Sequence, residues 1–281
     1  MSSYSSAIDR QQGKADTDNN GVARYMLEIE TPAGIKSGNE PDLSLQYSQG
    51  TPNGILGLSW VLGGESSIYL GAPKVVYGKS SDWVKMVAFW SPQIEYGTTL
   101  DSRIVTQPEG KAREWRIKKQ TDCHGNTIQY NYIPSPQTEN TRDVNTSYLD
   151  SIKYCSNDVT DSPATRFVQF HYADRKDLVT HSIAGAIITR ANLLSSISIG
   201  INIGGEITVN RTYSLTYGQS ATTNDSYLSQ VAESSEKDGR AVNLLPTSFS
   251  YTAQDTAPGD LFKTVPADPF QAESNVATCF S

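Results

Sequence analysis

The sequence predicts an all-β fold, in which many short antiparallel strands and hairpins form a wound or stacked sheet with little helix. Two observations predict it. Runs of alternating apolar and polar residues recur every 10 to 20 residues, and no intervening stretch of 12 or more residues has helical periodicity. Turn signals rich in Gly, Asn and Asp separate many of these runs. Because crossover helices are missing, a parallel α/β sheet is disfavoured.

The N-terminal part begins with a polar segment and continues into two strands. Residues 1–20 are rich in Ser, Asp, Asn and Gln, so we expect a flexible polar arm there and order from Gly21 onwards. Apolar and polar residues alternate from Ala23 to Ile29 and again from Leu43 to Tyr47. Each alternation predicts a half-buried strand.

Glycines and large apolar residues are interleaved between Asn53 and Gly64. Gly54 and Gly57 predict positions where the backbone has a positive φ or passes close to a bulky group. Trp60 is the natural bulky partner.

The remaining strands follow from similar short runs, with turns predicted at 124–126, 204–205 and 238–239. Residues 227–234 are assigned to a short helical turn. Residues 255–281 are rich in Pro and Asp, which indicates an irregular C-terminal linker or wrap. The predicted strands are Ser66–Leu70, Trp83–Trp90, Gln93–Tyr96, Arg103–Thr106, Glu114–Lys118, Thr127–Tyr132, Leu149–Tyr154, Phe167–Tyr172, Ala186–Arg190, Leu193–Ile203, Ile207–Tyr217 and Thr247–Tyr251.

Several short motifs follow one another in the predicted β region. They are Gly21-Val-Ala-Arg-Tyr25, Thr31-Pro-Ala-Gly34, Pro41-Asp-Leu-Ser-Leu-Gln-Tyr47, Asn53-Gly-Ile-Leu-Gly-Leu-Ser-Trp60 and Gly64-Glu-Ser-Ser-Ile68. Together they resemble the opening of the SpvB family and of the N-terminal domain of insecticidal toxin-complex B subunits. The segment from Trp115 to Tyr132, with its Asp122-Cys-His-Gly-Asn126 turn, is similar to a YD (RHS) repeat. The resemblance extends over residues 21–254.

The resemblance implies a non-catalytic structural and protein-interaction module, related to the shell of toxin-complex B subunits and so to virulence or insecticidal activity. In that family the domain helps to build a hollow β-sheet container. The implied partners are other toxin-complex subunits or the remainder of a longer B-type chain. The residues carried over as structural positions are Gly54, Gly57, Trp60, Trp115, Gly125 and Asn126.

Two departures from the family pattern affect these expectations. The stretch from Gly71 to Val87 is shorter than in most members, which puts any function of that insertion in doubt. Full-length relatives also continue into propeller and RHS repeats, so we expect this chain to be either a fragment or a stand-alone member.

Composition excludes several classes of function. The formal net charge of -7 and the sequence pI of about 5.0 disfavour nucleic acid as a partner, because phosphate binding needs clustered Lys and Arg. No run of 18 apolar residues is present. The N-terminus lacks a basic segment followed by an apolar one, so we expect release without a standard signal peptide, or otherwise a cytoplasmic location in the producer. Three widely spaced cysteines indicate reduced thiols.

Residues that could carry chemistry have simpler interpretations. The Glu28-Ile-Glu30 pair resembles part of an ADP-ribosyltransferase signature, but both carboxylates fall on the polar face of a strand. Adjacent Cys123 and His124 indicate a turn, and His171 indicates a strand residue with a local hydrogen bond. Neither a nucleophile elbow, nor a phosphate-binding loop, nor metal-ligand spacing is present. We therefore expect no enzyme activity, no catalytic residue, no cofactor and no metal.

Two alternatives remain open. A stand-alone β-rich lectin or adhesin would bind glycans through exposed aromatic residues, for which Trp83 and Trp90 are the candidates. A cryptic hydrolase or transferase is the third hypothesis.

Overall fold

The computed structural model describes residues 13–35, 39–69, 92–106, 110–134, 142–183, 186–221, 223–237, 240–251 and 276–279. Within these residues every regular element is a strand, so the all-β prediction is confirmed. The strands are β1 Gly13–Thr17, β2 Ala23–Ile29, β3 Leu43–Ser48, β4 Trp60–Gly63, β5 Ser67–Tyr69, β6 Gln93–Tyr96, β7 Arg103–Thr106, β8 Lys111–Thr121, β9 Asn126–Pro134, β10 Ser147–Asn157, β11 Arg166–Ile183, β12 Ala186–Ile203, β13 Glu206–Gln219, β14 Ser226–Lys237, β15 Arg240–Asn243, β16 Thr247–Tyr251 and β17 Val276–Cys279.

The N-terminal strands form a four-stranded antiparallel sheet in the order β1-β2-β3-β4. The apolar residues of the predicted alternation are buried, since Leu27 and Ile29 of β2 point into the core together with Leu43 and Leu45 of β3, although Ser44 between the two leucines of β3 is buried as well. These side chains lie opposite each other in register, with Leu27 facing Leu45 and Ile29 facing Leu43. One face of this small sheet is therefore apolar and must be covered.

The other described strands form a large sheet of 13 strands, in the order β17-β16-β14-β13-β12-β11-β10-β9-β8-β5. β15 pairs with β14, and β6 and β7 pair with β8, beside this path. Neighbours are antiparallel except for β17, which pairs with β16 in parallel. Most neighbours are also consecutive in sequence and are joined by hairpins, which is the local pairing that the turn signals predict.

The hydrophobic core lies between the two sheets. The small sheet contributes Leu27, Leu45 and Trp60, and the large sheet contributes Ile152 and Val231, all of them fully buried. Hydrogen bonds also join the sheets, since the Tyr154 hydroxyl donates to the carbonyl of Pro32 over 2.9 Å, and the amide of Glu30 donates to the Tyr213 hydroxyl over 3.2 Å. The two sheets thus share one core and pack face to face.

The predicted hairpin turns can be compared with the structure one by one. Asp122 to Gly125 form the turn between β8 and β9, and Gly204 and Gly205, both with positive φ, form the turn between β12 and β13. Both predictions are confirmed. The turn residues 238–239 lie outside the described residues, although β14 and β15 on either side of them pair as a hairpin.

Several predicted elements differ from the observed ones. Residues 227–234 form part of β14 rather than a helical turn, because pairing with β13 along most of the segment outweighs a weak local preference. Residues 13–17, predicted as part of the arm, form β1, whose side chains are exposed while its backbone pairs with β2. Residues 276–279 form β17 within the predicted irregular tail. The runs 186–190 and 193–203 are one continuous strand, β12. The strand predicted at 83–90 lies outside the described residues.

The described part of the chain contains no helix of the length and apolar character needed to cross a bilayer.

Candidate functional site: the docked glycine–tryptophan loop

Residues 53–60, which lead from the connection after β3 into the first residue of β4, lie in the segment that the sequence singled out, and we call them the glycine–tryptophan loop. Gly54 and Gly57 exchange two backbone hydrogen bonds of 3.2 Å, which closes a tight turn at the tip. Ser59 has φ 65° and its carbonyl accepts a hydrogen bond from the amide of Ser48 over 2.9 Å. The loop therefore folds back on itself and presents its tip to the large sheet.

Only one of the two loop glycines meets the sequence expectation. Gly57 has φ +82°, and a Cβ built there would lie 2.6 Å from the backbone oxygen of Ser226 in β14. The amide of Leu58 donates to that same oxygen over 2.8 Å. Gly57 is thus required by close contact with β14, and Trp60 is not its partner. The expectation is wrong for Gly54, whose φ lies outside the left-handed region and whose Cβ would have its nearest neighbour at 3.6 Å.

Trp60 connects the small sheet to the last strands of the large one. Its indole is fully buried, with its ring centroid 4.7 Å from that of Phe249 in β16. Its Nε1 donates to the Tyr251 hydroxyl over 2.8 Å, and that hydroxyl donates to the carbonyl of Leu228 over 2.7 Å. The polar edge of the ring is therefore satisfied inside the core, as a buried tryptophan requires.

A bulge in β11 supplies the polar groups that hold the loop tip. The register places Asp174 opposite Asn192 and Val179 opposite Arg190, so residues 175–178 have no places of their own in the ladder and form the β11 bulge. The Arg175 guanidinium is fully buried there. It donates to the Gly54 carbonyl over 3.0 Å, to Asn53 Oδ1 over 2.7 Å and to Asp177 over 2.9 Å.

Asp177 is the acceptor at the centre of this network. Its carboxylate accepts hydrogen bonds from Arg175, from Asn53 Nδ2 over 3.1 Å, and from both the amide and the hydroxyl of Ser226, the amide over 2.7 Å. Burial raises the pKa of Asp177, but the hydrogen bonds from Arg175, Ser226 and Asn53 outweigh it and hold that pKa well below its usual range. The charged pair thus joins the loop, the bulge and the start of β14.

Sequence reasoning missed Arg175 and Asp177. The signal that could have revealed them is the run Asp174-Arg-Lys-Asp177, which places four charged residues inside an otherwise alternating strand. Such an interruption is typical of a bulge that redirects side chains.

The predicted YD-like turn is a second anchoring point. Asp122 accepts hydrogen bonds from the amides of His124 and Asn126, both over 2.8 Å, and from Asn39 Nδ2 over 2.7 Å. Burial raises the pKa of Asp122, but these bonds outweigh it and lower the pKa to about 2. Gly125 has φ +82° within the turn. Because Asn39 precedes β3, the turn ties the small sheet to the large one.

The predicted tryptophans lie at different places. Trp115 is half-buried on β8, where it stands opposite Ile68 and Arg103. A Cβ at Gly97 would lie 2.3 Å from its ring, so the glycine makes room for it. Trp115 therefore belongs to the β8 end of the large sheet, whereas Trp60, in the small sheet, packs against the β16 end. Trp83 and Trp90 lie outside the described residues.

The residues considered for catalysis have structural partners or exposed positions. Glu28 pairs with Lys14 over 2.9 Å and Glu30 pairs with Arg211 over 2.5 Å, both at the surface. Cys123 and His124 are exposed in the β8–β9 turn, as predicted. His171 contacts the Ser198 hydroxyl over 3.2 Å on the neighbouring strand, which confirms its predicted local hydrogen bond. Among the described residues, no three His, Cys, Asp or Glu side chains converge as metal ligands would.

This two-sheet architecture is similar to that of solved structures. The crystal structure of TcdB2-TccC3 matches 87% of this chain with a TM-score of 0.64 and 15% identity. The structure of the Photorhabdus luminescens Tc holotoxin pore also matches 87% of this chain, with a TM-score of 0.67 and 15% identity. The N-terminal domain of the effector protein SpvB from Salmonella typhimurium strain LT2 matches 75% of this chain, with a TM-score of 0.54 and 14% identity.

The matches differ in how much of the other chain they cover. This chain spans 17% of the TcdB2-TccC3 chain, 16% of the holotoxin chain and 98% of the SpvB domain. No protein-family model matches the sequence, and no curated protein matches it significantly. At these identities the likeness concerns the fold, and it confirms the resemblance that the short motifs predicted.

Proposed function

We propose that this chain is a non-catalytic structural and protein-interaction module of a toxin complex, forming part of a β-sheet wall. The observation that carries the proposal is the fold that the chain shares with toxin-complex chains and with the SpvB N-terminal domain. In the long toxin-complex chains the matching region is a small part of the whole, which is the relation expected of a building module.

Open sheet margins support a role in assembly. Among the described strands, β1 and β4 have a neighbour on one side only in the small sheet, and so does β17 at the end of the large sheet. An edge strand has unpaired backbone N–H and C=O groups, which can pair with a strand from another chain. Under this proposal these margins join the remainder of a longer shell or a partner subunit.

The way in which Trp60 and the groups that hold the loop tip are buried supports the non-catalytic part of the proposal. Trp60 and the Arg175–Asp177 pair are buried and bonded to neighbouring elements. Groups held in this way stabilise the docking of two sheets, whereas a catalytic acid or base needs access to a substrate. The glycine–tryptophan loop is thus best explained as a structural contact that holds the two sheets together.

Co-purification tests the interaction. The chain is co-expressed with tagged A-type and C-type toxin-complex subunits, and we expect it to elute with at least one of them in a fixed ratio. The control is the Glu28→Gln, Glu30→Gln double variant, which changes only exposed side chains and should elute in the same way. A chain that remains a stable monomer against every such subunit would argue strongly against the proposal.

The absence of catalysis has its own test, because the carboxylate pair resembles part of a transferase signature. The chain is incubated with labelled NAD and acceptor proteins, and we expect no transfer of label. Transfer that disappears in the Glu28→Gln, Glu30→Gln variant would show that the non-catalytic assignment is wrong, even if the chain still bound toxin-complex subunits.

A further inference from the structure

The glycine–tryptophan loop begins with the dipeptide Asn53-Gly54, and the same dipeptide occurs once more in the chain, as Asn20-Gly21. An asparagine followed by glycine is prone to deamidation, because glycine has no Cβ to keep its amide nitrogen away from the asparagine side chain. The two dipeptides are equivalent in sequence, so a difference in their reactivity in the folded chain comes from their surroundings.

Deamidation at Asn53 needs only the chain itself and water. The Gly54 nitrogen attacks Asn53 Cγ, the new N–Cγ bond replaces the Cγ–Nδ2 bond, and the hydrogen lost by Gly54 leaves with Nδ2 as ammonia. Water then adds across a ring C–N bond of the cyclic succinimide and leaves aspartate or isoaspartate at position 53. The reaction therefore depends on whether the Gly54 nitrogen can reach Cγ.

The docked loop holds the Asn53 side chain through both ends of its amide. Nδ2 donates to Asp177 Oδ2 and to Asp225 Oδ1, each over 3.1 Å. Oδ1 accepts a hydrogen bond from the buried Arg175 guanidinium over 2.7 Å. The amide nitrogen and the amide oxygen are thus both bonded to residues outside the loop, and rotation of the side chain towards Gly54 would break these bonds.

The attacking nitrogen is held as well. The Gly54 amide donates to the Gly57 carbonyl over 3.2 Å, and the Gly54 carbonyl accepts a hydrogen bond from Arg175 over 3.0 Å. Arg175 therefore fixes both residues of the dipeptide, so that Cγ and the Gly54 nitrogen cannot approach each other while the loop is docked. Local opening, in which the loop tip leaves Arg175 and Asp177, has to precede the reaction.

Asn20 lacks this restraint. It lies in the turn between β1 and β2, where it is exposed, and its side chain forms no hydrogen bond with a described residue. The Gly21 amide donates to the Asp18 carbonyl over 2.9 Å, so the glycine nitrogen is hydrogen-bonded here as it is at Gly54. Freedom of the asparagine side chain therefore distinguishes Asn20 from Asn53.

We propose that Asn53 is a deamidation site that is protected while the loop is docked and reacts once the loop tip has opened. The product does not return to the docked position. Aspartate at position 53 puts a carboxylate oxygen where Nδ2 donates to Asp177 and Asp225, so three carboxylates face the single guanidinium of Arg175. Isoaspartate also lengthens the backbone next to Gly54.

Opening of the loop is therefore recorded as a permanent change in charge. The bonds of Asn53 to Asp177 and Asp225 join the small sheet to the β11 bulge and to the residue that precedes β14. Loss of these bonds weakens the contact between the sheets. The inference is independent of the proposed function, since it concerns neither the sheet margins nor a partner subunit.

Peptide mapping by mass spectrometry measures both asparagines in one sample of the full chain. The chain is kept at mildly alkaline pH, either folded in buffer or unfolded in guanidinium chloride. In the unfolded chain we expect Asn20 and Asn53 to convert at similar rates. In the folded chain we expect Asn53 to convert more slowly than Asn20, and at least about tenfold more slowly than it does in the unfolded chain.

Two variants separate the effect of docking from that of the local sequence. Asp177→Asn weakens the bonds that hold the loop tip, so conversion of Asn53 should accelerate while conversion of Asn20 stays unchanged. If this variant does not fold, the wild type just below its unfolding transition in guanidinium chloride replaces it. Gly54→Ala is the control, because a Cβ there has its nearest neighbour at 3.6 Å but hinders ring closure. Its Asn53 should convert more slowly than that of the wild type when both are unfolded.

Asn53→Asp reproduces the charge of the product. We expect its thermal unfolding midpoint to lie about 4–10 °C below that of the wild type, whereas Asn20→Asp, which adds the same charge at an exposed turn, should change the midpoint by less than about 2 °C. Three results would overturn the proposal. They are equal conversion of Asn53 in the folded and unfolded chains, no acceleration when the loop tip is loosened, and an unchanged midpoint of Asn53→Asp.

Discussion

At the scale of single residues, Gly54 and Gly57 show how two glycines of one motif can have different roles. Gly57 combines a positive φ with backbone contact to Ser226, and both features exclude a side chain. Gly54 has neither feature, and its carbonyl is used instead as an acceptor for Arg175. A motif can therefore mark a functional loop without telling which of its glycines is constrained by space.

The difference between Gly54 and Gly57 predicts that alanine substitution lowers the free energy of unfolding by different amounts at the two positions. Gly57→Ala should lower the free energy of unfolding by about 2–4 kcal/mol, because a Cβ adds backbone strain and a clash with β14. Gly54→Ala is the matched control and should change it by less than about 1 kcal/mol. Urea denaturation followed by tryptophan fluorescence measures both. Equal costs would contradict the assignment of Gly57 as the docking contact.

At the scale of elements, the β11 bulge links three parts of the chain that lie far apart in sequence. Arg175 and Asp177 reach the glycine–tryptophan loop on one side, and Asp177 reaches Ser226 on the other. In a regular strand these charged side chains would project from fixed positions in the ladder and would not reach the loop. The bulge therefore places Arg175 and Asp177 where they bond the glycine–tryptophan loop to β14, and we call this pair and its hydrogen bonds the clamp.

The clamp predicts a pH-dependent contribution from Asp177. Its pKa is lower in the folded chain than in the unfolded one, so the stabilisation is complete above the unfolded value of about 4 and is lost as the pH falls towards the folded value. Asp177→Asn should cost about 3 kcal/mol at pH 7, because it leaves the buried Arg175 charge without its partner. The loss of unfolding free energy caused by Asp177→Asn should become steadily smaller as the pH falls below about 4.

Denaturation curves at a series of pH values measure this dependence. Asp161→Asn is the control, since Asp161 is exposed and its φ of 52° suits asparagine. A cost for Asp177→Asn that did not change with pH would show that the carboxylate charge does not hold the clamp.

At the scale of the whole molecule, the two sheets depend on each other. Trp60 and Leu27 of the small sheet pack in the same core as Phe249 and Val231 of the large sheet. The small sheet therefore covers the part of the large sheet that forms this shared core, while the large sheet also buries apolar side chains outside it, such as Ile188 and Leu193.

This interdependence predicts one cooperative unfolding transition for the full chain. Tryptophan fluorescence and far-UV circular dichroism should give coincident curves. A fragment of residues 92–281 lacks the small sheet, and it should bind a hydrophobic dye and lose the sharp transition. A chain without residues 1–12 is the control and should behave as the full chain does. A fragment that unfolded at the same midpoint as the full chain would show that the sheets fold independently.

The sequence by itself determined the all-β class, the strands with alternating residues and the turns at Gly125 and Gly204, because period and turn chemistry are local properties. It also singled out Gly57 and Trp60. Only the tertiary structure decided what these residues contact, that Arg175 and Asp177 hold the loop, and that residues 227–234 form a strand. Such features depend on partners more than a hundred residues away in some cases, and a local pattern carries no information about a distant partner.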